Sequence, residues 1–416
     1  MNAGGLLRGL LAAVATCAIA CGDSGGNLVG RRDYSSLRDA ADPGGETAGP
    51  DVDRDVAIED PAAPDLAPPW DPGEDPGADD PGTPQDPGAN DPGTPDPGMP
   101  DPGTDPGAPS VRLVTDQQAL STLNSLIAGA RTSVQMVELE FIPGWAPDQV
   151  GAALAAAVNR GVAVKVLLES DVDKNSTRLD SLRAAGIDAK LDGASKTLHT
   201  KLLVVDRSRA LVGSTNLSTS SLNYNHEANV ALDGAAIVAP FAGYADALWS
   251  SPSKAASMTS AQVAGVAPIG DGQYRDRVVP MLRAASRRAL LVLYHLSDDW
   301  GGDAGDLAYE LIDAKGRGVD VRVVLESSAY ETYVNDQNGT SGGNLSSDGV
   351  QVRYHAAETL THAKLLVVDD SVVVHSGNWV ASGLGSNHEA GTVVQAATVT
   401  ADAAAYFEKV WNESVP

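Results

Sequence analysis

Two stretches of this 416-residue chain, about 160 residues apart, follow nearly the same pattern. The run from Arg160 to Ser170 (RGVAVKVLLES) returns as Arg317 to Ser327 (RGVDVRVVLES). Each is rich in β-branched residues and reads as a strand. Each follows a segment with helical character, residues 148–159 and 306–315, and each of those follows an apolar run, 134–141 and 290–296. Strand, helix, strand therefore occurs twice. That alternation predicts an α/β body in which largely parallel strands are covered by helices on both faces. The interval is far too long for a solenoid unit, so the duplicated object is a domain. The expected halves are residues 111–265 and 266–416.

Composition separates this body from what precedes it. Between Gly22 and Ser110 lie 18 of the 25 prolines, with 21 acidic residues against four arginines, and Asp-Pro-Gly recurs eight times from Asp71 to Asp105. Such a stretch lacks apolar residues to bury, while its prolines remove donors and its charges repel, so residues 21–110 are expected to form a disordered acidic linker. A calcium-binding array is the competing reading, but the repeat lacks the mixed ligands and closing glutamate of calcium loops. Ahead of it, Arg8 and the small apolar run to Ala20 read as an export signal over residues 1–20, too short to span a bilayer. Ala18-Ile19-Ala20 before Cys21 resembles a bacterial lipoprotein signal, which implies lipidation of Cys21 and a membrane-anchored protein at the outer membrane or cell surface. Plain secretion is the alternative. The body contains no cysteine, so its core alone must hold it together.

The chain's net charge of -26 at first argues against a partner gripped through phosphates. Most of that charge belongs to the linker. Residues 111–416 hold 34 acidic residues against 24 Lys and Arg, a net of -10, which softens the exclusion of nucleic acid to a preference against it.

The chemistry concentrates in a second repeat. His199-Thr200-Lys201-Leu202-Leu203-Val204-Val205-Asp206 is matched by His362-Ala363-Lys364-Leu365-Leu366-Val367-Val368-Asp369. Ser214 and Asn216, then Asn225-His226-Glu227-Ala228, follow the first octet, and Ser376 and Asn378, then Asn387-His388-Glu389-Ala390, follow the second. One octet alone would be read as a structural histidine beside a solvated lysine; two with the same sequel are not accidental. On a strand, His199 and Lys201 project from one face, as do His362 and Lys364, whereas Asp206 and Asp369 have the opposite parity and are expected behind the site as structural support. An ammonium beside an imidazole suits attack on a phosphodiester, an anion that repels nucleophiles, and paired imidazoles can divide acid and base roles.

With its doubled motif the chain is similar to the phospholipase D superfamily over residues 111–416. The resemblance implies two α/β/α sandwich halves related by a pseudo-twofold axis, with one active site between them. It implies a phosphohistidine formed by one of His199 and His362, the other acting as acid and then base, without metal or other cofactor. Lys201, Lys364, Asn216 and Asn378 would hold phosphate oxygens, with Ser214 and Ser376 grouped among the substrate-binding residues. Glu227 and Glu389 match the carboxylates that hold each imidazole. His226 and His388 are expected to be structural neighbours.

The two copies are not identical. The interval from Asp to Ser is one residue shorter in the second, which a shorter turn would explain, and His375 stands where the first copy has Gly213. His295 and His355 prompt a metal-site reading, but no local spacing gathers them with a carboxylate. Trp145 and Trp300 are expected in loops that border the site or cap the core, and Trp379 in the pocket wall. The expected protein is an exported monomeric phosphodiesterase that hydrolyses phospholipid to phosphatidic acid and can transfer the phosphatidyl group to an alcohol. The alternatives are a metal-independent nuclease of the same superfamily and an inert surface-binding module.

Overall fold

The computed structural model describes residues 108–416 except 194, 357 and 358. The expected signal, Cys21 and the expected linker up to residue 107 lie outside the described residues.

The first half runs β1 (Ser110–Thr115), α1 (Gln118–Ala128), β2 (Ser133–Glu138), α2 (Trp145–Asn159), β3 (Ala163–Leu168), α3 (Asp173–Ala184), β4 (Asp188–Leu191), β5 (Lys201–Val205), β6 (Arg209–Gly213), α4 (Thr219–Asn223), β7 (Ala228–Asp233) and α5 (Ala235–Ser250). The second runs β8 (Val266–Ile269), α6 (Tyr274–Ala284), β9 (Arg288–Leu293), α7 (Asp303–Gly316), β10 (Asp320–Glu326), α8 (Thr332–Ser347), β11 (Gln351–His355), β12 (Lys364–Val368), β13 (Ser371–His375), β14 (Gly391–Val394) and α9 (Ala397–Glu413). In place of α4 it has a five-residue π-turn, Ser382–Ser386.

Each half builds one seven-stranded sheet, in the orders β1-β7-β6-β5-β2-β3-β4 and β11-β10-β9-β12-β13-β14-β8. The sheets are mixed, which corrects the expectation of largely parallel pairing. Only the strands joined through helices are parallel, β2 with β3 and β3 with β4, and β9 with β10 and β10 with β11. The strand of each His-Lys motif turns straight back into the next, β5 into β6 and β12 into β13, and so short a connection allows only an antiparallel neighbour; the longer links to β7 and β14 also lead to antiparallel pairing.

The alternation of side chains gives each sheet two buried faces. In the first sheet Val134, Met136, Val166, Leu203 and Val205 pack outward against α1, α2 and α3. Leu202, Val204, Val212 and Val230 point the other way, into a core shared with Val292, Leu365, Val367 and Val374 of the second sheet and with apolar residues of α5 and α9. This shared core joins the halves into a single body and explains why both octets carry unbroken apolar strands.

The turn between β5 and β6 holds Asp206, Arg207 and Ser208, whereas that between β12 and β13 holds only Asp369 and Asp370. This accounts for the one-residue offset between the copies. Asp206 and Asp369 both adopt positive φ, 51° and 50°, at the start of these turns.

Candidate active site

At the start of β5 and β12 the halves exchange backbone hydrogen bonds. His199 N–H donates to the His388 carbonyl at 3.0 Å, and His388 N–H to that of Thr197 at 2.8 Å. In the other copy His362 N–H donates to the His226 carbonyl and His226 N–H to that of Leu360, each at 2.9 Å. The Asn-His-Glu segment of one half thus lies alongside the His-x-Lys segment of the other.

The carboxylates consequently cross over. His199 Nδ1 is 2.9 Å from Glu389 Oε1, and His362 Nδ1 is 2.9 Å from Glu227 Oε1. Spacing along the chain associates Glu227 with His199 and Glu389 with His362; the structure pairs them the other way. All four groups are buried. A carboxylate on Nδ1 fixes the proton there and leaves Nε2 as the reactive nitrogen. Lys201 Nζ lies 3.0 Å from His199 Nε2, and Lys364 Nζ 2.7 Å from His362 Nε2, so each ammonium stands where an anionic group would approach its imidazole.

The serines hold the glutamates. Ser214 Oγ donates to Glu227 and Ser376 Oγ to Glu389, while each hydroxyl accepts the N–H of Ala228 or Ala390 at 3.0 Å. With its proton on the carboxylate, neither hydroxyl has one for a phosphate oxygen, so their place among the substrate-binding residues is corrected to one of positioning. Ser221 of α4 donates to the other oxygen of Glu227, whereas in the second half Asn387 Nδ2 reaches Glu389 Oε1 at 3.3 Å. Asn216 and Asn378 are buried beside these serines, and the side-chain oxygen of Asn216 has no hydrogen-bond partner among the described residues.

Asp206 and Asp369 sit at the far ends of β5 and β12 from the histidines. The Asp206 carboxylate accepts the N–H groups of Arg131, Thr132 and Ser133 at 2.7–3.1 Å, and Asp369 those of Ser286, Arg287 and Arg288 at 2.8–3.1 Å. These fix the entries to β2 and β9. Partial burial opposes ionisation, but the backbone donors outweigh it and hold both carboxyls below the usual range. Counted among the catalytic candidates by their motif, the two aspartates contact no imidazole and serve as scaffold.

His226 and His388 also contact the site through backbone alone. Their Nδ1 atoms lie on Asp116 at 3.3 Å and Asp271 at 2.6 Å. These aspartates also accept the N–H of Glu227 and Glu389 and a tyrosine hydroxyl at 2.7 Å, from Tyr406 and Tyr244 respectively. Glu169 and Glu326, at the ends of β3 and β10, accept the N–H of the residue just before each motif histidine, Leu198 and Thr361, at 2.5 Å. Burial raises both carboxyls, that of Glu326 to about 7. Sequence reading missed Asp116, Asp271, Tyr244, Tyr406, Glu169 and Glu326 as supports. For the last two the duplicated Leu-Glu-Ser was a usable signal.

The halves differ around their lysines. Lys201 stands opposite Glu138 in the β5–β2 register, whereas Lys364 stands opposite Leu293 and has its ammonium over the Tyr294 ring at 5.0 Å. Burial pushes the Glu138 carboxyl well above the usual range, against the pull of Lys201. His375 is buried and accepts the Gly377 N–H on Nδ1 at 2.9 Å; burial lowers its pKa to about 3. It lies opposite Gly391, whereas in the first half Gly213 lies opposite Asn229, so each copy keeps one large and one small residue across the same pair. A Cβ at Gly391 would approach the His375 ring to 2.5 Å.

Trp379 is buried, with its indole N–H on the Tyr274 hydroxyl at 3.1 Å. Trp300 donates to Ser297 and Ser341, and Trp145 is 53% exposed at the start of α2. His295 lies 2.6 Å from the Gln337 side-chain oxygen and, among the described residues, joins no carboxylate cluster, whereas His355 approaches His226.

Two α/β/α halves that exchange backbone hydrogen bonds and glutamates around one pair of His-Lys sites define a phospholipase D-like protein. The family model described as cardiolipin synthase, PLD-like domain, matches residues 123–249 and 278–411, and the chain belongs to this family within the phospholipase D superfamily. Among curated relatives, the mitochondrial cardiolipin hydrolase of Mus musculus is 28% identical over 145 residues, covering 35% of this chain and 64% of that protein. The phospholipase D of Rickettsia bellii is 29% identical over 93 residues, covering 22% and 46%. The matches thus span less than two thirds of these relatives. Among solved structures, phosphatidylserine synthase of Haemophilus influenzae superposes with a TM-score of 0.58 at 12% identity, covering 73% of this chain and 85% of that one. The polyphosphate kinase of Porphyromonas gingivalis gives 0.52 at 14%, covering 73% and 50%. These two likenesses show the fold.

Proposed function

We propose that the chain is a phosphodiesterase that cleaves glycerophospholipid on the alcohol side, leaving phosphatidic acid. The observation that carries the reading is the crossed pair: two buried imidazoles, each with Nδ1 on a carboxylate of the opposite half and Nε2 facing a lysine. One Nε2 attacks phosphorus as the P–O bond to the alcohol breaks, and the other imidazole, protonated on Nε2, gives its proton to the departing oxygen. That second imidazole then takes a proton from water, which attacks phosphorus, breaks the P–N bond and releases phosphatidic acid. An alcohol in place of water gives phosphatidyl transfer. The lysines and Asn216 and Asn378 are assigned to the phosphate oxygens, whose charge they offset in a buried site.

The phospholipid substrate is supported by family membership and by relatives named as cardiolipin hydrolase and phospholipase D. Export, with anchoring through a lipidated Cys21, belongs to the same proposal and rests on the amino-terminal sequence. Among the described residues no helix is long and apolar enough to cross a membrane.

The test is an assay of the full chain, in chelator, on phosphatidylcholine vesicles with and without ethanol, and on single- and double-stranded DNA. Phosphatidic acid, and phosphatidylethanol when ethanol is present, support the reading. Cleavage of DNA alone overturns it in favour of a nuclease, and no cleavage of either overturns it in favour of a binding module. Mass spectrometry of the mature amino terminus tests the anchor: an acylated Cys21 is expected, and an unmodified one contradicts it.

A further inference from the structure

Beside the catalytic pair, three groups distant in sequence converge. His226 comes from the first half, His355 from the end of β11 and Glu413 from the end of α9. One ligand atom from each lies within 4.8 Å of the others. His226 Nε2 is 3.0 Å from Glu413 Oε2, and the two imidazole rings stand edge to face with centroids 4.9 Å apart. Both rings are buried, and His355 Nδ1 has no hydrogen-bond partner among the described residues. The Glu413 side chain is 44% exposed, which leaves the cluster open to solvent on one side.

The surroundings are those of a metal ligand set. His226 rests its Nδ1 on Asp116 at 3.3 Å, and a carboxylate on one ring nitrogen orients the other and raises its basicity. The nearby Lys409 ammonium is held by that same Asp116 at 2.6 Å. Two imidazoles and a carboxylate, with one side open, suit a borderline divalent cation with a fourth position for water. Ligands about 2.0 Å from such an ion lie roughly 3.3 Å apart, so closure asks for movements of about 1 Å.

The pseudo-twofold mate lacks the set. His388 has Nδ1 on Asp271 at 2.6 Å and Nε2 on the Pro252 carbonyl at 2.5 Å, so neither nitrogen faces another imidazole. In the strand register the mate of His355 is Asp192, which accepts the Ser170 N–H at 2.9 Å. The cluster is therefore a departure from the duplication that produced the rest of the site.

We propose that His226, His355 and Glu413 form a binding site for a divalent cation of Zn2+ type that ties the two halves together beside the catalytic pair. The site borders the chemistry through backbone: the His226 carbonyl accepts the His362 N–H at 2.9 Å, and the next residue, Glu227, holds the His362 ring. A bound cation stiffens this junction and stabilises the fold by binding only the native state.

The test titrates Zn2+ into the chelator-treated, dialysed full chain by calorimetry, with Co2+ absorption as a second readout. The expected result is one Zn2+ per chain with micromolar or tighter affinity and a raised melting temperature. The Co2+ form should show visible bands of a four- or five-coordinate site. His355→Ala and the half-exposed Glu413→Gln should each weaken binding by at least tenfold and remove the bands, while melting in chelator as the wild type does. Should His355→Ala disturb the metal-free fold, Glu413→Gln alone decides. Unchanged Zn2+ affinity in the variants, or no binding at ten micromolar Zn2+, overturns the proposal. Neither result depends on which substrate the enzyme takes.

Discussion

Glu227, in the first half of the chain, holds the imidazole of His362, in the second, with Oε1 2.9 Å from Nδ1. Neither half on its own supplies both its motif histidine and the carboxylate that holds it. Glu227→Gln keeps the shape but removes the charge that fixes the tautomer. Its kcat should fall by about 10²- to 10⁴-fold, with little change in KM, by analogy with losing the orienting carboxylate of a catalytic histidine. A change of less than threefold in steady-state assays would contradict the crossed arrangement.

The motif aspartates should behave oppositely. Asp206→Ala removes the acceptor of three backbone N–H groups and should cost about 1–3 kcal/mol of stability. Below the melting temperature its kcat should stay within about twofold of wild type. Urea midpoints measured beside initial rates separate the two effects, and a collapse of kcat in a folded variant would return Asp206 to the chemistry.

Acid should loosen the junction between the halves. Contacts with His226, Lys409 and Tyr406 outweigh burial and hold the Asp116 carboxyl at about 2, below its ordinary 3.8. Being depressed, this group contributes stability that is complete above about 3.8 and lost as pH falls through about 2. Asp116→Asn should flatten the loss of stability between pH 4 and pH 2 in denaturant titrations. An unchanged slope would show the network to be dispensable.

Glu326 has the reverse sign. Burial raises its carboxyl from 4.5 to about 7, so the folded state keeps the proton longer than the unfolded chain does. Its effect on stability is most favourable below about 4.5 and falls as pH rises toward 7. Glu326→Gln should remove that part of the decline, narrowing the difference in urea midpoint between pH 5 and pH 8. A wider difference would contradict the raised value.

Trp145 tests the lipid substrate. Its ring is exposed at the start of α2, on the connection that leaves β2 beside the site. Trp145→Ala should raise the apparent KM on phospholipid vesicles several-fold without changing kcat on a soluble diester such as bis(p-nitrophenyl) phosphate. Equal effects on both would argue that it supports the site instead of meeting a lipid surface.

What sequence reading could and could not reach follows from the physics of each feature. Strands and helices were legible because their periods show in apolar patterning, and the His-Lys pairs because duplication made a weak motif decisive. The far placement of Asp206 was legible from strand parity. The crossing of Glu227 and Glu389 was not, since it arises when backbone segments of opposite halves exchange hydrogen bonds, and local spacing points to the wrong partner. Ser214 and Ser376 were misplaced because a hydroxyl near a phosphate site has two uses, and only the position of the glutamate decides between them. The mixed pairing of the sheets was not legible in the strand-helix-strand pattern, which specifies parallel neighbours only where a helix crosses over and says nothing of the strands after each octet. His355 had no local signal, as its neighbours come from β7's approach and the end of α9.

The central claim is one site built from both halves, and turnover of the single-histidine variants tests it most directly. His199→Ala and His362→Ala, each shown to be folded by its melting temperature, should both lose at least about 10³-fold in kcat on the same phosphodiester. Near-normal turnover by either variant would show that the two histidines do not share one reaction.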